Sequence, residues 1–527
     1  MKTKFYYLLI AILALSFTAS AQKFGSDVVL HECSGDYRIQ PKISVADNGW
    51  IYVLMNKYDH PTEKDETRIY RSKDGGANFE QIYHGITPTG IKQGGRDFVV
   101  TGGNESDINI WYLYADNNMT IQKTSLYLVK MDADAKNGST IYSFSYENTK
   151  TKDVAIATNA RSPEFVFTPF IIGFAFTNHS IDVDRGNVEY CYSKDGGATF
   201  DKKWIYNKVG SSFGSIDISI GQADENLYMP RVGIVFEMDI HTENNIGFIA
   251  GYAYGGDMTD VLQVNKKYST TFSSYEPKIQ WLCNNTLDEL NNFMIAYTCQ
   301  YSIIDWDIMK IFPKPSYDIY NHTLDNLDWA YVAAAPDKIE VTPDLSYDKK
   351  YNNYLLAYVE KNDDEYTLKH KVQHYTKIDQ GSSGWVHVGD VSLSSLGSGY
   401  FYFPAVDIDL TRSKACFAFE YHNSASPKVT KLLFDSEWST LDSEKIFSTN
   451  GELNVFPNPA TNTINIKLQD SDKYSVKIID FYGKMLKEVS FTGNQTKISL
   501  ENMPTGIYML KINSGKKQYT EKFIKSL

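Results

Sequence analysis

Ser193-Lys194-Asp195-Gly196-Gly197-Ala198-Thr199-Phe200 decides how the rest of the chain is read, because it is a second copy. The first is Ser72-Lys73-Asp74-Gly75-Gly76-Ala77-Asn78-Phe79. Both have the form Ser-x-Asp-x-Gly-x-x-Phe, and both follow an aromatic run, Ile69-Tyr70 or Glu189-Tyr190-Cys191-Tyr192. Asp-x-Gly-Gly between strand-like runs predicts a hairpin turn, since glycine reaches positive φ without steric cost. The Asp carboxylate is placed to accept the turn's own backbone N–H groups. Phe79 and Phe200 are expected to fold back as apolar plugs. Ser72, Asp74, Gly76 and Phe79, with Ser193, Asp195, Gly197 and Phe200, are thus read as turn formers and not as a reaction centre.

Outward from these turns, residues 27–441 read as one repeating β unit. Each unit opens with a short strand, often carrying Pro: Gln40–Val45, Arg96–Val100, Pro163–Phe167, Ser215–Ile220, Pro277–Trp281, Pro343–Tyr347 and Pro404–Ile408. A second strand follows most of them, at Trp50–Leu54, Asn109–Tyr114, Asn292–Tyr297, Tyr354–Tyr358 and Ala415–Phe419. The period of roughly 50–65 residues suits a four-stranded propeller blade with generous loops. The two octapeptides resemble the Asp-box, or BNR repeat, of sialidase-like β-propellers. That resemblance implies an all-β propeller in which these turns join the outer strands of a blade, away from the ligand channel. Seven starts favour seven blades, with six as the alternative. Val28-Val29-Leu30 is expected to close the ring against the last blade.

Composition agrees with this reading. The chain has 527 residues, 42% of them hydrophobic, with 38 Tyr and 28 Phe, a load that favours strands. The net charge of −12 and the absence of a long basic run argue against nucleic acid or an anionic membrane as the main partner. The five cysteines, Cys33, Cys191, Cys283, Cys299 and Cys416, form no C-x-x-C pair, so no zinc or thioredoxin-like site is expected. Cys283 and Cys299 flank a plausible hairpin and are the preferred pair if a disulfide forms. The alternative is that all five are small buried apolar residues.

The two termini read as export signals. Residues 1–21 have a positive start at Lys2 and Lys4, an apolar centre from Leu8 to Phe17, and a small-residue cleavage site at Ala19-Ser20-Ala21. No later run reaches the ~20 apolar residues of a spanning helix. The propeller is assigned to 22–445. Residues 446–527 begin a second unit, for which alternation in Asn465–Leu468 and Ser475–Ile479 predicts a small β-sandwich. Asn454-Val455-Phe456-Pro457-Asn458-Pro459, Val476–Lys484, Leu500-x-x-Met503-Pro504-Thr505-Gly506-Ile507-Tyr508 and Lys522–Lys525 resemble the type A sorting domain of type IX secretion. Pro457, Asn458, Pro459, Gly506 and Tyr508 carry that match. The resemblance implies delivery by the type IX machinery to the outside or the outer-membrane surface.

The candidate chemistry lies in the propeller. In sialidases an Arg-Ile-Pro motif supplies a carboxylate-binding Arg. Tyr37-Arg38-Ile39-Gln40-Pro41 is similar, with Gln40 inserted, and Asp59 or Asp65 stands where an acid/base residue is expected. The chain has only eight Arg, so a full arginine clamp is hard to place. Independently, Arg38, Arg96 and Arg161 each precede an expected innermost strand, and such positions converge at one channel mouth. Three guanidinium groups there favour an anionic ligand such as an acidic sugar. The competing reading pairs each with a local carboxylate, for example Asp97 or Glu164. Trp306, Trp329 and Trp385 are candidates for stacking on sugar rings. Asp132-x-Asp134-x-x-Asn137-Gly138 and Asp182-x-Asp184-x-Gly186-Asn187 lack full calcium-loop spacing and read as polar turns. No metal or cofactor is expected. The leading function is a surface propeller that binds glycan or protein ligands. The alternatives are a sialidase-like glycoside hydrolase and a structural surface protein.

Overall fold

The computed structural model describes residues 27–437 and 453–525 apart from short internal stretches, the longest being 160–169, 222–229, 282–291 and 392–398. Residues 1–21, Asp59, Arg161, Pro163–Phe167, Cys283 and Pro457–Pro459 lie outside the described residues. The chain divides into two compact units, Met1–Ser439 and Thr440–Leu527.

The first unit is a seven-bladed β-propeller. Its innermost strands are Arg38–Val45, Ile91–Thr101, Thr149–Thr158, Ser212–Ile220, Ser273–Trp281, Ile339–Asp348 and Gly399–Asp409. Each begins a four-stranded antiparallel unit, and successive innermost strands neighbour one another around the axis. The fifth and sixth blades merge into one eight-stranded sheet through a single parallel pairing, Trp306 with Ile339. The seventh blade is completed by Val28–Ser34, which pairs antiparallel with Val429–Glu437. The ring is therefore closed by the two ends of the propeller chain, which leaves no long open edge.

Second strands explain why the ring packs. Ile51-Tyr52-Val53-Leu54-Met55 is buried at every position, because a blade is covered on both faces by its neighbours. At the closure, Ile39, Val53 and Met55 of the first blade pack with Cys416, Leu432 and Phe434 of the seventh.

Side chains stitch every seam near the axis. In each case an oxygen on one blade accepts a backbone N–H from the innermost strand of the next. Ser44 Oγ accepts Val100 N at 3.0 Å, Asp97 accepts Ile156 N at 3.0 Å, and Asp153 accepts Ile216 N at 3.2 Å. Asp217 accepts Ile279 N at 2.8 Å, and Glu276 accepts Thr342 N at 3.1 Å. Asp344 accepts Val406 N at 2.8 Å, and Asp407 accepts Val45 N at 2.8 Å, which returns the ring to its start. Innermost strands cannot hydrogen-bond edge to edge across a seam, so these carboxylates and Ser44 satisfy N–H groups that would otherwise be buried unpaired.

Three expectations change. The third blade opens at Thr149–Thr158 and not at residues 163–167, because the threonine- and lysine-rich stretch that forms the strand looks less apolar than the segment after it. Cys299 is a buried free thiol and not half of a disulfide, and Cys33, Cys191 and Cys416 are free as well. Burial raises the Cys299 thiol to about 11, so it behaves as a small apolar group. Trp385 is 6% exposed, inside the core between the fifth and sixth blades, and Trp306 lies stacked on Tyr275.

The second unit is a five-stranded sheet with two long strands, Thr463–Asp480 and Met485–Ser499. Their pairing register breaks between Lys467 and Asp472. One core gathers residues from both sides of the break, including Ile464, Ile466, Tyr474, Val476, Leu510 and Phe523. The expected sandwich is thus a single hydrogen-bonded sheet whose two parts share one interior. Tyr508 is buried and donates its hydroxyl to Pro504 O at 2.6 Å.

Candidate functional site

The two octapeptide turns lie between the third and fourth strands of the first and third blades, at the end of the ring opposite Arg38. In the first, Ser72 Oγ donates to Asp74 Oδ1 at 2.8 Å and accepts Gly76 N at 2.8 Å. Asp74 Oδ1 also accepts Asn78 N at 2.9 Å. The second repeats this with Ser193, Asp195, Gly197 and Thr199 N. Gly75, Gly76, Gly196 and Gly197 all have positive φ. Phe79 packs 4.8 Å from Phe434, and Phe200 packs 4.9 Å from Tyr142. All four polar groups serve the turn itself.

The opposite end of the ring is built differently. Six of the seven innermost strands break register close to this mouth, at Gln93/Arg96, Thr151/Asp153, Phe213/Ile216, Tyr275/Lys278, Val341/Asp344 and Tyr402/Ala405. Such bulges re-aim side chains and are common beside functional sites. In three of them the bulged residue precedes proline and sits at positive φ: Glu276 at 52°, Thr342 at 54° and Phe403 at 47°. That conformation costs on the order of 1–3 kcal/mol per residue and persists where the surroundings enforce it. Here Glu237 accepts Glu276 N at 2.6 Å, and Glu276 in turn accepts Thr342 N.

The bulges line a cavity of about 130 Å³ at the channel mouth, walled by Arg38, Tyr58, Arg96, Asp153, Glu276, Thr342 and Phe403 among others. Ion pairs at Lys42–Asp97, 3.7 Å, and Lys278–Asp344, 3.2 Å, lie further along the same innermost strands. A second cavity of about 610 Å³ adjoins it, walled by Tyr37, Tyr400, Tyr402, Glu420 and His422. Arg38, Tyr58 and Phe403 belong to both. The Arg38 guanidinium lies 4.5 Å from the centre of the Phe403 ring.

Burial governs the acids of the mouth. It raises Glu276 to about 7, with nearby Glu237 pushing the same way and Lys278 and Arg38 opposing. Asp153 is also raised by burial. Burial and then the Asp153 charge raise the Tyr58 phenol to about 12. Lys278 goes the other way: burial lowers it, but Asp344 and Asp217 outweigh that and keep it charged.

The predicted arginines separate. Arg38 is exposed at the mouth, and Arg96 reaches the same cavity. The Arg96 guanidinium, however, is bound to Gly95 O at 3.0 Å, to Ala115 O and to Asp116 at 2.5 Å, and is 6% exposed. Its carboxylate partner is Asp116 and not the adjacent Asp97. The third innermost strand ends at Thr158, and Arg161 lies outside the described residues. Asp65 is buried and accepts Gln93 N at 2.9 Å, holding the connection between the first two blades. Asp132 likewise accepts Lys136 N at 2.9 Å within its own turn. Asp153, Tyr58, Glu276 and Phe403 escaped the sequence reading. A signal existed in the recurring x-Pro openings Gln40-Pro41, Glu276-Pro277, Thr342-Pro343 and Phe403-Pro404, three of which became bulges.

No curated protein matches the chain. Among solved structures, the α-L-arabinofuranosidase Arb93A from Fusarium graminearum, in complex with an iminosugar inhibitor, is similar at 10% identity and TM-score 0.42, over 80% of this chain and 99% of that one. An α-L-arabinanase from Penicillium chrysogenum complexed with arabinobiose has 11% identity and TM-score 0.38, over 64% and 93%. The endo-arabinase of Bacteroides thetaiotaomicron has 12% identity and TM-score 0.29, over 50% and 88%. At the C-terminus, residues 454–526 match the family model described as a secretion system C-terminal sorting domain, which marks the chain for export.

Proposed function

We propose that the protein is an exported β-propeller that binds a glycan at the channel mouth. One observation carries this reading: the polar mouth and the tyrosine-lined cleft are continuous through Arg38, Tyr58 and Phe403. Sugars present hydroxyls beside apolar C–H faces. A site for them combines aromatic faces with a few fixed polar groups. Delivery to the cell surface or medium by the type IX route fits the sorting-domain match at 454–526. Among the described arginines of that set, Arg38 alone remains a ligand candidate, because Arg96 is already bonded within its own blade. An acidic sugar is therefore not required. Probing a glycan array with the mature full-length chain tests the proposal. Binding that falls at least about tenfold in Arg38→Gln supports it. No binding to any neutral or acidic glycan at millimolar concentration ends it.

A second reading, glycoside hydrolysis, is favoured by Glu276 and Asp153 sharing one cavity with raised proton affinities. An acid held protonated near neutral pH is what leaving-group protonation needs. Release of sugar from oligosaccharides, whose alkoxide leaving groups need a proton, reduced about a hundredfold or more in Glu276→Gln, is the expected result. Unchanged turnover in that variant would remove Glu276 from the reaction.

A further inference from the structure

The two mouth cavities differ in size and in what lies behind them. The smaller, about 130 Å³, is well below the 300 Å³ or so of an ordinary small-molecule pocket, so it suits one ring and not a chain. Lys42, Lys278 and Asp344 line this cavity as well as the one deeper along the axis. There the Lys42–Asp97 and Lys278–Asp344 pairs stand across the route down the axis. These side chains are half-buried, 10–27% exposed, and occupy the axis between the two cavities, so this layer acts as a floor. The larger cavity, about 610 Å³, is lined by Tyr37, Tyr400 and Tyr402 and is open enough for further rings.

Between the two stand Arg38 and Phe403. Phe403 is fixed by its backbone, at φ 47° ahead of Pro404 in the bulge of the seventh innermost strand. Arg38 lies over its ring and remains exposed. Together they form a low wall with a small blind socket on one side and a long tyrosine-lined cleft on the other.

Resting on the glycan reading above, we infer that the site reads chain ends: one terminal ring enters the socket, the glycosidic linkage crosses the Arg38–Phe403 wall, and the next ring lies in the cleft. Internal segments of a polysaccharide are excluded because the floor lets no chain pass.

The test uses the mature full-length chain and an array of reducing-end-tethered di- and tetrasaccharides. Each is present with its terminal ring free and with that ring O-methylated. Hits are then titrated in solution. For any glycan that binds, the expected result is a loss of at least about tenfold on methylating the terminal ring, in the disaccharide and the tetrasaccharide alike. Phe403→Asn, which tolerates positive φ, should weaken binding about tenfold with an unchanged melting temperature. Arg38→Gln, at an exposed position, gives the same readout if that variant fails to fold. Equal binding of methylated and free forms overturns end reading while leaving glycan binding intact. No binding by any form overturns both.

Discussion

A carboxylate in a rim turn and one on the axis do the same job and acquire opposite properties. Asp74, in an octapeptide turn, and Asp217, on an innermost strand, both accept backbone N–H groups. Around Asp74 slight burial works upward, but hydrogen bonds from Asn78 and Ser72 outweigh it and hold the group at about 2. Asp195 reaches about 2 through Thr199 and Ser193. Around Asp217 burial wins over Lys278, Lys42 and the Ile279 N–H, and the group rises to about 6. Hydrogen bonding favours the charged form in both places, and the amount of water removed decides the outcome. A turn can therefore be rigid with cheap surface carboxylates, whereas the axis keeps acids that cling to their protons.

The largest expected effect lies at the axis. Asp217→Ala strands the Ile279 N–H and takes a partner from Lys278, and should cost roughly 3–5 kcal/mol in denaturant unfolding. Asp217→Asn keeps an acceptor and should cost clearly less. If both variants cost the same, the stitch is not what Asp217 contributes.

The two turns come next, because they differ in what their glycines touch. A Cβ on Gly76 would run into the ring of Phe434, on the blade that closes the propeller. A Cβ on Gly197 would stand 3.0 Å from Trp111, where a small shift relieves it. Both positions have positive φ. Gly76→Ala should therefore cost about 2–4 kcal/mol and Gly197→Ala about 1–2, from strain and overpacking. A reversed order in thermal melts would mean that the closure seam is looser than the third blade.

Acid sensitivity should split in the same way. A raised carboxyl such as Asp217 keeps a proton in the folded state that the unfolded chain gives up above about 4. Its contribution is full below about 4 and is lost as pH rises through about 6. Asp74 is depressed, so its contribution is present above about 4 and lost as pH falls through about 2. Melting temperature against pH should lose its near-neutral slope in Asp217→Asn and its acid slope in Asp74→Asn. Identical profiles in both variants would contradict the assignment. The smallest effect expected is Ser72→Ala or Ser193→Ala, about 1 kcal/mol each, since each removes the hydroxyl that caps one glycine N–H.

The turns were readable because everything they need lies within eight residues: the acceptor, the donors and the glycines are local. The blade openings were readable where apolar alternation was strong, as in Ser215–Ile220, and misread at the third blade, where Thr149–Thr158 is polar at its start. The closing strand at Val28 was legible only as an apolar run in search of an edge. The mouth was half legible. Arg38 stood out as a cation before a strand, but the guanidinium of Arg96 is taken by Asp116, twenty residues away on the next strand.

By itself the sequence determined the repeat, the turns, the aromatic strand content and the C-terminal match, because these depend on neighbours along the chain. Only the tertiary structure decided which acids became seam stitches, which arginine stayed exposed and which proline-led strands bulged into the mouth. Those outcomes depend on how much water is excluded and on partners roughly one blade away, as between Asp217 and Ile279. Burial and cross-blade hydrogen bonding are properties of the closed ring, and no segment of the chain carries them before the ring is made.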